Sequence, residues 1–119
     1  MEGNSTNAPR WLSEAGKLQV GRIPSTGRLF YPPHPICPGT LEEAEVVEVS
    51  GKGSIYSYSR VEFGPGSPYV LALVTLAEGP TMMTNIVDAD PHGLTVGMDV
   101  ELRVTTDPSG MTRPDFAPA

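Results

Sequence analysis

From Met98 to Thr105 apolar and polar residues alternate, with Met98, Val100, Leu102 and Val104 on one parity and Asp99, Glu101, Arg103 and Thr105 on the other. A period of two places one face in a core and the other in water, so this stretch predicts a strand. Tyr69 to Val74 is apolar at every position, the pattern of a strand covered on both faces. In a third run, Ile55, Val61 and Phe63 share one parity while Tyr56 and Tyr58 share the other. Gly64-Pro65-Gly66-Ser67-Pro68 is a turn cluster between these runs. Ala77-Glu78-Gly79-Pro80 turns the chain into a further run, Thr81 to Val87. Asp107-Pro108-Ser109-Gly110 signals a hairpin, after which Met111 to Phe116 returns as a short strand and Phe116 covers one end of the assembly. Gly53 to Thr106 therefore reads as the body of a small closed barrel.

The N-terminal part is different. Asn7-Ala8-Pro9 can cap and start a short helix, and Trp11, Ala15 and Leu18 fall on one helical stripe that Gly16 cuts short. Trp11 either packs on its own barrel or anchors a partner, since tryptophan is enriched at interface hot spots. Pro24, Pro32, Pro33, Pro35 and Pro38 then forbid a helix and limit any strand to a few residues. The glutamates of Leu41 to Val49 read as a solvated face. Ser50-Gly51-Lys52-Gly53 delivers the chain to the barrel.

Composition sharpens this picture. Glycine and proline number 13 each in 119 residues, which favours short strands and tight turns, and the length suits one domain with a small appendage. The net charge of −6, with eight scattered basic residues, disfavours polyanion binding, because Lys and Arg neutralising phosphates drive most of that affinity. One cysteine excludes an internal disulfide. No apolar run reaches the ~20 residues of a membrane span, and no signal-peptide core is present, so a soluble, cytoplasmic protein is the expectation.

Candidate chemistry is sparse. Asp88, Asp90 and His92 lie within five residues, a spacing open to metal or acid–base work, yet Asp-Pro and His-Gly are also ordinary turn chemistry. Ser54, Ser57 and Ser59 have no local base, and no Gly-rich phosphate loop joins a strand to a helix. The residues read as a binding module rather than an enzyme.

Trp11, Gly16-Lys17-Leu18, Arg22 and the run Gly27-Arg28-Leu29-Phe30-Tyr31-Pro32-Pro33-His34-Pro35-Ile36-Cys37-Pro38 resemble the N-terminal half of the zinc-ribbon/OB-fold acyl-CoA-associated family. Val49 to Tyr58, Glu78-Gly79-Pro80, Thr84 to Val87, Gly97 to Val100 and Phe116 to Ala119 resemble its barrel. The resemblance covers about residues 11 to 119. It implies a mainly β protein in three parts: an N-terminal segment with a short helix (1–20), a rubredoxin-like ribbon arm (21–48) and a five-stranded OB-fold barrel (49–119). The family's four metal-ligand positions fall on Ile23, Thr26, Cys37 and Thr40, and only Cys37 can bind zinc. The expectation is therefore a degenerate ribbon without zinc. Cys37 then serves as a small buried hydrophobe, and the arm is ordered by packing on another subunit.

The resemblance also implies a function. Family members are commonly non-catalytic accessory subunits of thiolase-superfamily enzymes, thiolases or thiolase-like aldolases acting on acyl-CoA thioesters, and some partner hydratases. Trp11, Leu29, Tyr31 and Pro33 are the expected partner contacts. Arg22, Arg28, His34, Lys52 and Arg60 are candidates for the CoA phosphates, each also readable as a solvated surface cation. No cofactor is expected on this chain alone. The alternative is a single-stranded nucleic-acid barrel, with Tyr56 and Tyr58 stacking on bases, against which the charge balance argues.

Overall fold

The computed structural model describes residues 10–119. Its contacts divide the chain between Ser50 and Gly51 into two compact units. The first holds a three-stranded antiparallel sheet of β1 (Gln19–Arg22), β2 (Leu29–Phe30) and β3 (Glu45–Glu48), in the order β2-β1-β3. Its strands are short because prolines and turns interrupt them, as the sequence predicts. Leu18 and Val20 are fully buried on one face of this sheet. Gly21 lies directly opposite Phe30, and a Cβ on Gly21 would sit 2.2 Å from the Phe30 ring. Only glycine lets that ring lie flat across β1.

The expected helix is not there. Residues 10–18 form turns, and Leu12 bridges to Leu18 in a small antiparallel loop closed by Ser13 and Lys17. The lysine amide donates to Ser13 Oγ at 3.0 Å, and Gly16 takes a positive φ of 82°. Tertiary bridging thus overrides a helical stripe that Gly16 had already weakened. The proposed cap, Asn7 to Pro9, lies outside the described residues. Among the described residues no helix is long and apolar enough to cross a membrane.

The second unit is a closed five-stranded barrel of β4 (Lys52–Val61), β5 (Tyr69–Leu76), β6 (Thr81–Ile86), β7 (Asp99–Thr106) and β8 (Thr112–Pro118). The order β4-β5-β6-β8-β7, with β7 returning to β4 and a single parallel pairing between β6 and β8, is that of an OB-fold. Val70, Ala72, Val74 and Leu76 of β5 face Ile55, Met82, Ile86, Val100 and Phe116 in the core. Phe116 is completely buried. It pairs with Ile86 and Leu102, so one residue joins three strands. Gly53 is needed where β4 crosses β5, since a Cβ there would meet the Thr75 carbonyl at 2.5 Å.

Two strand readings change. A bulge between Ile55 and Ser57 leaves Tyr56 unpaired and 65% exposed. It puts Ile55 and Val61 on opposite faces, where uninterrupted parity had put them together. The all-apolar β5 has only one face in the core, while Tyr69 and Leu71 on its outer face are exposed. Replacing Phe116 with alanine is expected to cost about 3–5 kcal/mol of barrel stability. Chemical denaturation followed by near-UV circular dichroism measures it.

Candidate functional site

Two turns of the first unit carry Ile23, Thr26, Cys37 and Thr40, the four positions at which the resemblance implies metal ligands. After β1, Ile23 O accepts from Thr26 N and Gly27 N, and Ile23 N donates to Arg28 O. Beyond Pro35, Leu41 N donates to Cys37 O, and Cys37 N donates to Glu42 O. The turns are tied by protein groups. Ser25 N and Ser25 Oγ donate to the two oxygens of Glu42 at 3.0 and 2.7 Å. These bonds hold the Glu42 carboxyl below the usual glutamate range. The Cys37 thiol points at Arg22 O, 3.9 Å away.

The donors do not fit zinc. Ile23 is buried and apolar, Thr26 and Thr40 are neutral hydroxyls, and Cys37 is fully buried. Burial first, and then the negative charge of Glu42, push the Cys37 thiol up, away from the thiolate a metal requires. Among the described residues no three His, Cys, Asp or Glu side chains are gathered as a metal cluster.

Beside these turns lies an open apolar groove of about 480 Å³. Phe30, Tyr31, Pro32, Ile36, Pro38 and Leu41 line it, with His34 and Cys37. Burial pushes the Tyr31 hydroxyl up to about 12, so it stays neutral at any ordinary pH. Leu41 sits in the left-handed region at φ 63°, a strained place for leucine, and is 76% exposed. The groove can take apolar groups, and His34 at its edge holds Ile36 through Nδ1 at 3.2 Å.

The structure distributes the residues singled out in the sequence unevenly. Tyr31 and His34 line the groove. Leu29 and Trp11 are half-buried, and Pro33 is buried within its own unit. Arg22 pairs with Glu45 across β1 and β3, and Arg60 stands 3.9 Å from Glu62. Arg28 is exposed, with its amide bonded to Thr26 Oγ1. Lys52 and Arg60 lie toward opposite ends of β4, roughly 26 Å apart at the rise of an extended strand, so they do not form one phosphate site.

Asp88 pairs with Arg103, and Asp90 accepts from His92 N at 2.9 Å, the turn reading of that trio. Tyr58 donates to Leu94 O at 2.9 Å, while Tyr56 stands exposed on the bulge. The Ser25–Glu42 tie escapes sequence reasoning because Glu42 sits in a run of glutamates that looks like plain solvated surface. Its only trace is a hydroxyl and a carboxylate placed beside the degenerate ligand positions.

A closed five-stranded barrel and a small turn-rich sheet that carries an apolar groove define an OB-fold protein with an N-terminal β unit. Residues 46–105 match the family model for the C-terminal OB-fold domain of ChsH2. A DUF35 domain-containing scaffold protein of Methanothermobacter thermautotrophicus is 42% identical over 103 residues, covering 78% of this chain and 75% of that protein. A "Probable enoyl-CoA hydratase alpha subunit" of Thermomonospora curvata is 37% identical over 110 residues, covering 87% of this chain but 34% of that longer protein. Among solved structures, a chain of the Ltp2-ChsH2(DUF35) aldolase superimposes with a TM-score of 0.79 at 31% identity, covering 99% of this chain and 96% of that one. This chain belongs to the DUF35 family of OB-fold proteins.

Glu42→Ala is expected to loosen the two turns, read as faster hydrogen exchange at the Ser25 amide. Because the folded carboxyl titrates below its ordinary value, its stabilisation is complete above the ordinary glutamate range and is lost as pH falls through the folded value. Glu42→Gln should accordingly flatten the acid limb of the melting curve. The chain refolded with excess zinc should carry no stoichiometric metal by mass spectrometry, whereas the combined Ile23→Cys, Thr26→Cys and Thr40→Cys variant should bind one ion.

Proposed function

We propose that this chain is a non-catalytic accessory subunit that binds and stabilises a thiolase-superfamily enzyme, a thiolase or thiolase-like aldolase, acting on acyl-CoA thioesters. The observation that carries this reading is the likeness to the Ltp2-ChsH2(DUF35) aldolase chain along 99% of the length. The exposed groove of the first unit supports it physically. Ile36 and Leu41, 41% and 76% exposed, are costly to leave in water and suit burial by a partner. The first unit acts as a ribbon whose metal has been replaced by the Ser25–Glu42 tie.

In this reading the reacting residues belong to the partner, and this chain shapes access to them. Tyr31 and Leu29 make partner contacts, joined by Trp11. Arg28 and His34 are the best candidates for the CoA phosphates, because Arg22 and Arg60 already face Glu45 and Glu62. A second reading, partnership with an acyl-CoA hydratase, is favoured by the likeness to the Thermomonospora curvata protein.

The test is purification of the tagged full chain from its native cell. The expected result is a stoichiometric complex with a thiolase-fold subunit that is insoluble or inactive alone, and that cleaves or forms a carbon–carbon bond in an acyl-CoA. A hydratase in the same place, adding water to an enoyl-CoA, would select the second reading. A partnerless monomer would end both. Within the complex, Leu41→Asp should weaken association roughly tenfold, the cost of placing a charge where an apolar contact stood.

A further inference from the structure

The outward side chains of β4 from Ser57 to Val61, beyond its bulge, and of β5 and β6 form a face that carries no charge; Lys52, also outward, stands at the far end of β4 beside Glu101 of β7. Cross-strand register aligns Val61 with Tyr69, and Leu73 with Met83, and Leu71 lies between those two rows. The remaining outward positions of this patch are Ser57, Ser59, Thr75, Thr81 and Asn85. The outer side of β7 differs, with Asp99, Glu101 and Arg103. Tyr69 and Leu71 are exposed, and Met83 is 64% exposed. Two shallow grooves on this side share Leu71, Asn85 and Arg113.

The loops at the rim repeat the pattern. Phe63, 90% exposed, stands in the β4–β5 connection, where Ser67 N and Oγ both donate to Gly64 O. Met111, also exposed, stands in the β7–β8 connection, where Asp107 Oδ1 accepts from Ser109 N, Ser109 Oγ and Met111 N. Both tips are held by their own hydrogen bonds, so little order need be lost on binding.

In OB barrels the outer face of the second and third strands, with these two loops, is where ligands sit. Three occupants compete. A nucleic acid needs cations. Those at its border are scattered: Lys52 at the far end of β4, Arg60, 3.9 Å from Glu62, and Arg113, 3.5 Å from buried Asp115. A second copy would bring another net −6 against this chain, and the outward positions of Ser57–Val61, β5 and β6 hold no basic residue to offset it. An uncharged surface centred on Tyr69, Leu71, Leu73 and Met83, with apolar loop tips, has the composition of the buried centre of a protein interface. The geometry points to this face as the seat of the enzyme subunit, buried against an uncharged, apolar patch of that partner. The inference rests on the accessory-subunit reading and adds a surface in the barrel to the groove in the first unit.

The test co-expresses the enzyme subunit recovered with the tagged chain alongside each tagged full-length variant, and measures the dissociation of each purified complex on dilution by mass photometry. Leu71→Glu, and independently Ser59→Arg, which sits opposite Leu71 and buries nothing, should each weaken binding roughly tenfold or more. Val96→Arg, a charge placed on an exposed apolar residue outside the face, should not. Melting curves of the free variants confirm their fold, and Ser59→Arg remains informative if Leu71→Glu misfolds. Equal binding by all variants overturns this inference while the accessory-subunit reading stands. Recovery of no enzyme overturns both. Binding of oligothymidylate at about 150 mM salt that Leu71→Glu abolishes would assign the face to single strands and overturn it. A wild-type dimer that Leu71→Glu converts to monomer in sedimentation velocity would assign it to a second copy, with the same consequence.

Discussion

A β-sheet ends in two rows of unpaired amides and carbonyls, and this chain removes both rows from its larger unit by pairing β7 back onto β4 and β8 onto β6. The join is narrow. One parallel register pair, Ile86 with Phe116, and the bond from Val87 N to Phe116 O close that side. The Phe116 side chain fills the interior at the same point, so closure and core formation depend on one residue. Gly51 and Gly53 let the neighbouring strand approach closely enough to complete the circle.

The smaller unit meets a different constraint. A short sheet with few apolar side chains has little hydrophobic stabilisation, and small units of this kind need a cross-link or a partner. Here isoleucine and two threonines leave a single thiol, and a glutamate that bonds both the amide and the hydroxyl of Ser25 spans the gap. A charge-assisted pair of hydrogen bonds is far weaker than four metal–ligand bonds, and this one is solvent-exposed. The consequence is a unit that leaves Ile36 and Leu41 uncovered and has much to gain from a partner.

Both units therefore leave apolar surface in water, by different routes. In the first, proline-rich turns hold side chains away from a core too small to take them. In the barrel, β5 is apolar on both sides while a closed sheet offers only one inside. An accessory subunit is a natural home for such surfaces, because another chain completes what this one begins.

Alternation and turn residues were enough to locate the barrel strands, because a period of two and a Gly/Pro cluster are local properties of the backbone. That Ile23 offers no donor and Thr26 and Thr40 only hydroxyls is a property of residue type, visible without any structure. The bulge at Tyr56 and the Ser25–Glu42 tie were not visible, because each is decided by residues distant in the chain, and the helix after Trp11 gave way to a local Leu12–Leu18 bridge that a helical stripe does not reveal. Composition likewise made β5 apolar throughout, but only the closed barrel decided which side would be core. A strand's own sequence has no knowledge of what covers it, and burial is a property of neighbours that only tertiary structure supplies.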